Sequence, residues 1–448
     1  MALISSTAAH DLAEAVVKRV GATGLDVAHV DVLPHMSRTP QFNPYEMVVS
    51  SDMYLDENSA GVVIFTSGTT GRPKGAVMRR AYTHETSMAI AEEHGIQASD
   101  VLLHILPVHH ATGLGTSFFP FLITGAAIEF KRGSFDPDYV WKRFKQGGIT
   151  VFSAVPTIYM RLMWHFQKVI AKLPETEKQL YVQGARNLKS LLCGSSALQQ
   201  PTQDFWTNLR DRPILVRYGS SEVPNCLKVP ADADFASLPK GCVGTAVPGV
   251  DAVLSEGTTG ELLVKSPYMF AKYLYDEDAT ASAHDNNGFF KTGDICRKEG
   301  NFFFIVGRAS LDIIKSGGYK IGALDIEKEC LELPYIHEAL VVGVEDEEFG
   351  QRVGAIVTLN PEQTVYTSTS GSGRMFSIDD LRNDLRSRLP GYKLPTLLRV
   401  VNGELPKGET GKVQKKVLGP LYFRTPGWRN DSNVQSWVKG GIQARARL

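Results

Sequence analysis

Four apolar residues, Val62-Val63-Ile64-Phe65, run directly into Thr66-Ser67-Gly68-Thr69-Thr70-Gly71-Arg72-Pro73-Lys74-Gly75. The β-branched run predicts a strand. The ten residues after it form a loop of glycines, hydroxyls and one lysine. Glycine exposes backbone N–H groups, the hydroxyls add donors, and Lys74 adds a cation, a combination suited to a polyphosphate. The segment lacks GxxxxGK[ST] and is therefore not a Walker A loop. A flexible polar turn would account for the glycines but not for this concentration of donors beside Lys74.

Around this loop the chain alternates. Short runs such as Ile149-Thr150-Val151-Phe152 and Ile214-Leu215-Val216 are separated by helix-forming stretches, among them Thr83–His94 and Pro156–Lys172. Alternation from Gly61 to about Val253 predicts an α/β domain on a largely parallel sheet. Over 260–306 the pattern changes to an antiparallel section, with strands at Gly260–Val264 and Asn301–Ile305. After Arg308 comes a compact α+β unit. It has helices over Ala323–Glu332 and Ile378–Arg388, and strands over Ala339–Val344, Val353–Leu359 and Leu397–Val401. The Ser/Thr/Gly-rich stretch between Pro361 and Ser377 reads as an exposed loop. Beyond Phe423 only Trp428 and Trp437 offer apolar anchors, which predicts a partly mobile tail.

The 448 residues carry 48 basic and 48 acidic side chains, and 43% are hydrophobic. That length predicts two or three domains. The charge balance argues against a strongly basic nucleic-acid binder, and no apolar run is long enough to span a membrane. Five scattered cysteines (Cys193, Cys226, Cys242, Cys296, Cys330) form no CxxC pair. They read as small buried hydrophobes in a reducing compartment rather than as a zinc or disulfide framework. Ala8–Val20 reads as a short amphipathic helix, neither a secretory signal nor, given Asp11 and Glu14, a transit peptide. The terminal Ala446-Arg447-Leu448 resembles the S-K-L class of peroxisomal address, with cytoplasm as the alternative.

The loop at 66–75 resembles the phosphate loop of the adenylate-forming enzymes: acyl-CoA synthetases, luciferases and non-ribosomal peptide adenylation domains. Other segments match that family in order. They are LPVHHATGL (106–114), GSSAL (194–198), YGSSE (218–222), KTGD (291–294), GRASLDIIKSGGYKI (307–321) and LPKGETGK (405–412). The resemblance covers about residues 50–420. It implies an AMP-binding N-terminal domain over 1–307, a smaller mobile C-terminal domain over 308–425 and a tail over 426–448. ATP, Mg²⁺ and coenzyme A are the implied cofactors and co-substrates.

By this resemblance Thr66, Ser67, Gly68, Thr69, Thr70, Gly71 and Lys74 embrace the departing phosphates, and Glu222 holds Mg²⁺. Tyr218 and Gly219 face adenine, with Gly194, Ser195, Ser196 and Ala197 closing the other side. Ser221 keeps the hydroxyl of the family's usual threonine. Asp294 and Arg308 take the ribose. Lys412 bridges the carboxylate and the α-phosphate, and His110 joins Lys412 and Glu222 as a catalytic residue. Rotation about a hinge just after Arg308 exchanges Lys412 for Ser316-Gly317-Gly318-Tyr319, which admits the CoA arm. This chain has Ser310 where many relatives carry Asp or Lys at the hinge.

The motif details look most like malonyl-CoA synthetases. Arg217 stands where many relatives have a small residue, and Arg161, with His109, is implied in the same acyl pocket. Two guanidinium groups suit a second carboxylate on the substrate. The expected activity is that of an ATP-dependent acid–CoA ligase acting on a small dicarboxylic acid such as malonate. The alternatives are a fatty or aromatic acyl-CoA ligase, an enzyme of secondary metabolism that loads a carrier protein, and an inactive nucleotide binder. The last arises because only 65 residues precede Thr66, fewer than in most of the family, and the sequence before Asp56 matches it poorly.

Overall fold

A computed structural model describes residues 2–6, 14–15, 17–18, 28–32, 56, 59–66, 73–131, 133–230, 233, 238–309, 312–360, 376–407, 413–424 and 427–437. The chain divides into two units, 1–56 and 57–448. In the first, β1 (Ala2–Ser6) pairs in parallel with β2 (Ala28–Val32), Ala2 opposite Ala28. Most of the helix expected at Ala8–Val20 falls outside the described residues. So do Ser67–Gly71, Ser310, Lys412 and the terminal tripeptide.

The second unit opens with a hairpin. β3 (Ala60–Thr66) and β4 (Lys74–Arg79) are antiparallel, and Thr66 lies opposite Lys74 at the mouth of the loop. α1 (Arg80–Glu93) continues from β4 without a break. A parallel set is then laid down by β5 (Val101–His104), β6 (Ala127–Phe130), β7 (Val151–Ala154), β8 (Ser190–Cys193) and β9 (Leu215–Tyr218). The antiparallel β10 (Leu227–Lys228) and β11 (Thr245–Ala246) extend it to seven strands, in the order β11-β10-β9-β8-β7-β5-β6. The crossovers are helical: α2 (Pro137–Gln146), α3 (Pro156–Lys168), α4 (Glu175–Asn187) and α5 (Gln200–Arg210).

Local chemistry sets these boundaries. Asp136 caps α2 by accepting from the Asp138 N–H, and Pro137 occupies the first turn, where its missing N–H costs nothing. α3 ends at Lys168, and Ile170–Lys172 tightens into a separate 3₁₀ turn, so the expected Pro156–Lys172 helix is shorter than its pattern. Against the sheet pack Trp141 and Trp206, stacked at 5.3 Å, together with Tyr159, Phe144 and Phe152. Side chains of this size each bury about 150–250 Å², so this layer fixes the helices on the sheet.

The antiparallel section is a four-stranded sheet of β12 (Asp251–Leu254), β13 (Thr259–Lys265), β15 (Phe290–Glu299) and β16 (Phe302–Arg308). β14 (Lys272–Tyr273) leaves it to pair with β4. Beyond Arg308 a six-stranded sheet combines β17 (Ile313–Ser316), β18 (Tyr319–Gly322), β19 (Ile336–Asp346), β20 (Gly350–Leu359), β21 (Leu397–Val401) and β22 (Val434–Ser436). Its helices are α6 (Ala323–Leu331), α7 (Ile378–Leu385, opened by a Ser377/Asp380 capping box) and α8 (Lys415–Tyr422).

Of the tail expected to be partly mobile, the described part, 427–437, is anchored. Trp428 is buried, β22 pairs with β21, and the Arg382 guanidinium lies 3.7 Å above the Trp437 ring. Two tryptophans supply enough apolar area to hold so short a strand. All five cysteines are buried and unpaired. Among the described residues, no helix is long and apolar enough to cross a membrane.

Candidate active site

The C-terminal end of β9 delivers Arg217 and Tyr218 in succession, and the chain continues into a loop of Gly219-Ser220-Ser221-Glu222. Ser220 Oγ accepts from the N–H groups of Glu222 and Val223, which turns the chain back at once. Beside it β8 ends in Gly194-Ser195, with Ser195 in the left-handed region at φ 74°. Its hydroxyl lies 2.7 Å from Thr112 Oγ1, which joins the turn to the segment after β5. Between these strand ends lies a cavity of about 150 Å³, lined by Arg217, Tyr218, Gly219, His110, Ser195 and Thr116 among others. Ligands of open α/β sheets bind at such carboxyl ends of strands.

Arg217 is buried on the cavity wall. It donates from Nη1 to the Thr116 carbonyl and from Nη2 to Ser153 Oγ, both at 3.3 Å. Among the described residues no carboxylate lies within ion-pair distance of it. Burial lowers its pKa, opposed chiefly by the charge of Glu93. A buried guanidinium bonded only to neutral oxygens is incompletely compensated.

A second focus lies around Asp294. Tyr218 Oη donates to its Oδ2 at 2.6 Å, while Arg308 donates from Nε to Oδ1 at 2.7 Å and from Nη2 to Oδ2 at 3.3 Å. Antiparallel register sets Asp294 opposite Arg308. Burial and the neighbouring Asp294 push the Tyr218 phenol far up, so it stays a donor. Burial disfavours the Arg308 charge, but Asp294 outweighs it and raises the pKa.

A third group joins Glu222, Tyr273 and Lys74. Tyr273 Oη donates to Glu222 Oε1 at 2.9 Å, and Lys74 Nζ lies 5.0 Å from the centre of the Tyr273 ring. Thr66 Oγ1 donates to the Lys74 carbonyl at 3.4 Å. Glu222 offers a single hard carboxylate, and no cluster of three or more acidic, His or Cys ligands occurs among the described residues. That donor set fits Mg²⁺, which takes one or two carboxylates and fills its shell with phosphate and water.

Two expected pocket residues lie elsewhere. Arg161 points its guanidinium at the Phe135 ring, 5.1 Å from the centroid, and is not on the cavity wall. It sits on α3, whose buried face is taken by Tyr159, Met160, Leu162 and Met163. His109 is exposed and packs on His110 at 4.4 Å; only His110 lines the cavity. Ser316 and Tyr319 flank the β17–β18 turn, where Gly317 and Gly318 take φ values of 54° and 85° and Tyr319 stacks on Tyr392 at 4.5 Å. Ser196 and Ala197 are exposed beyond the Ser195 turn.

Reading the residues in sequence missed Tyr273, Ser153 and Thr112. Tyr273 reaches Glu222 because β14 pairs with β4, a contact between segments nearly 200 positions apart for which no local pattern exists. The Ser153 hydroxyl lies on β7, whose four residues are all buried, one position past the Ile149–Phe152 run.

Comparison with known proteins agrees with this geometry. The AMP-binding enzyme profile matches residues 3–274, and the AMP-binding enzyme C-terminal domain matches 325–412. The match reaches ahead of Asp56, so the first unit, too, resembles the family, contrary to the motif reading. Acyl-CoA ligase oryP of Aspergillus oryzae is 34% identical over 84% of this chain and 67% of its own. The mitochondrial malonate–CoA ligase ACSF3 of Homo sapiens is 34% identical over 81% of this chain and 65% of its own. The chain thus spans about two thirds of these relatives' length. The structure of ATP-bound MatB from Rhodopseudomonas palustris superposes with a TM-score of 0.75, at 25% identity, over 94% of this chain and 79% of that one. With both domains matched and the site groups gathered at the strand ends, the chain belongs to the AMP-binding enzyme family.

Proposed function

We propose that the chain is an ATP-dependent acid–CoA ligase whose acid is a small dicarboxylate such as malonate. The observation that carries the choice of acid is Arg217: buried, on the cavity wall, and without a carboxylate partner among the described residues. A bidentate guanidinium that stays charged selects an anion at that end of the substrate. The resemblance of the chain to a malonate–CoA ligase supports the same reading.

In this reading the second carboxylate of the acid points toward the α-phosphorus of ATP. One of its oxygens forms the new O–P bond as pyrophosphate leaves. Lys74 and the 66–71 loop receive the departing phosphates, and Lys412 supplies positive charge where it grows in the transition state. Glu222, oriented by Tyr273, would hold Mg²⁺, which neutralises phosphate charge when bound. Asp294, fixed by Tyr218 and Arg308, accepts from the ribose hydroxyls. In the second step the CoA thiolate sulfur attacks the acyl carbon and AMP departs, with Ser316–Tyr319 admitting the CoA arm.

Pyrophosphate release is measured with MgATP and malonate, with and without CoA, beside monocarboxylates of similar length. Release that requires the dicarboxylate and rises with CoA supports the proposal, and Arg217→Ala then abolishes dicarboxylate turnover selectively. Equal loss for monocarboxylates removes the role assigned to Arg217. The peroxisomal reading rests on Ala446-Arg447-Leu448 alone. A fluorescent protein ending in residues 437–448 becomes punctate if the reading is right and stays diffuse if it is wrong.

A further inference from the structure

Arg217 is not the lone cation on its side of the sheet. Antiparallel pairing of β9 with β10 sets Lys228 directly opposite it. Directly opposed residues project from the same face, with Cβ atoms roughly 4.5–5.5 Å apart, and like charges there repel. On that face α1 ends, with Ala91 packed in one cluster with Leu215, the inward neighbour of Arg217 on β9. The last residue of α1, Glu93, places Oε2 2.8 Å from Lys228 Nζ, with the Glu93 side chain only 9% exposed.

The carboxylate therefore stands beside two cations and is bonded to one. Glu93 is also the carboxylate whose charge acts most on Arg217. The next residue, His94, adds no charge. Burial first, then Arg217, Lys228 and Lys189, hold its pKa down at about 3. Two cations and one anion leave a single positive charge over, and it lies on the cavity wall at Arg217.

We infer that Lys228 is a specificity-determining positioning residue: by holding Glu93, it keeps Arg217 free for the distal carboxylate of the substrate. Without Lys228 the largely enclosed Glu93, whose other neighbour His94 is neutral, keeps one cation beside it, and pairing with Arg217 closes the site to an anionic substrate group. The inference rests on the reading of the cavity as a dicarboxylate site. It adds two residues, Glu93 and Lys228, that touch no reacting atom.

The test uses the full chain and reads the ratio of kcat/KM for malonate to that for a monocarboxylate of similar length, by pyrophosphate release. Against a dicarboxylate-selective wild type, Lys228→Met lowers the ratio about tenfold or more, chiefly through the malonate KM. Adding Glu93→Gln to Lys228→Met removes the competing anion and restores the ratio. A purely structural role for the pair predicts the opposite, since the double variant loses more contacts than the single one. Glu93→Gln alone keeps the dicarboxylate preference, and it serves as the test should Lys228→Met fail to fold. An unchanged ratio in Lys228→Met, no restoration in the double variant, or a loss of preference in Glu93→Gln overturns the inference. A wild type without dicarboxylate preference overturns the proposed substrate class instead, and the inference falls with it.

Discussion

Asp294 shows how single groups set the chemistry of this site. Its two oxygens are engaged by Tyr218 and Arg308, so the carboxylate is held in one place, as the ribose role proposed for it requires. A hydrogen bond to a charged group contributes about 1.5–3 kcal/mol. Tyr218→Phe is therefore expected to raise the KM for ATP about tenfold while leaving the acid's KM nearly unchanged, which steady-state kinetics with each substrate varied in turn will show. Asp294 and Arg308 are legible in the sequence because their motifs are short and local. Lys228 and Tyr273 are not, because each acquires its role from a long-range contact: Lys228 from its ion pair with Glu93, Tyr273 from the pairing of β14 with β4. His104 makes a different point. It is buried against Phe130, both ring nitrogens lack partners, and burial lowers its pKa to about 4. Below about pH 6.5 the unfolded chain takes up a proton that the folded chain refuses, so stability is complete above that pH and is lost as pH falls toward 4. His104→Phe should flatten the pH dependence of the unfolding free energy measured in urea between pH 6.5 and 4, by about 1.4 kcal/mol per pH unit at most. An unchanged slope would place the protonation elsewhere.

At the scale of elements, the helical run after His110 is the least regular piece. Ala111–Gly113 passes into a π-helical turn at Leu114–Phe118 and then into Phe119–Ile123. Such turns cluster at functional sites, and this one carries Thr116 to the cavity, beside Thr112 of the preceding piece. Close packing fixes it: a side chain at Gly115 would collide with the Tyr82 hydroxyl of α1, which itself donates to the Ala111 carbonyl. Gly115→Ala should cost about 1–3 kcal/mol by overpacking, and Tyr82→Phe in the same chain should return part of it. Urea unfolding of the two single variants and the double variant measures the coupling; strict additivity would mean that the two groups do not meet. The local pattern does not reveal this helix, because Gly113 and Gly115 are poor helix formers and the tyrosine that excludes a side chain lies far off in sequence. Longer elements such as β19, β20 and α1 are legible from their length and composition. Two-residue strands such as β10, β11 and β14 carry no periodicity and exist only through their partners.

Over the whole second unit, the part after Arg308 meets the rest at α3 as well as where α6 packs on β16. Trp164 stacks on His337 of β19 at 3.8 Å with an interplanar angle of 23°, and Arg161, one helical turn earlier, acts electrostatically on Glu404. Arg161 thus places its positive charge near Glu404, off the wall of the Arg217 cavity. The rotation that the family resemblance implies for the part after Arg308 would have to part this stack. The imidazole is held neutral, since burial lowers the pKa of His337, with Lys168 adding to it against Glu338 and Glu404. Parted, His337 returns toward about 6.5. The contact is thus at full strength above that pH and weakens as pH falls below it, because the proton binds better to the separated form. Spin labels on cysteines placed at the exposed Gln179 and Arg386 report the domain separation, the five native cysteines being buried. The expected result is one narrow distance distribution at pH 7.5, a broader one at pH 5.5, and the broader one at both pH values in Trp164→Ala. His337→Phe, which keeps a ring to stack and cannot be protonated, should stay narrow at pH 5.5. If it broadens as the wild type does, groups other than His337 set the acid response of the domain contact.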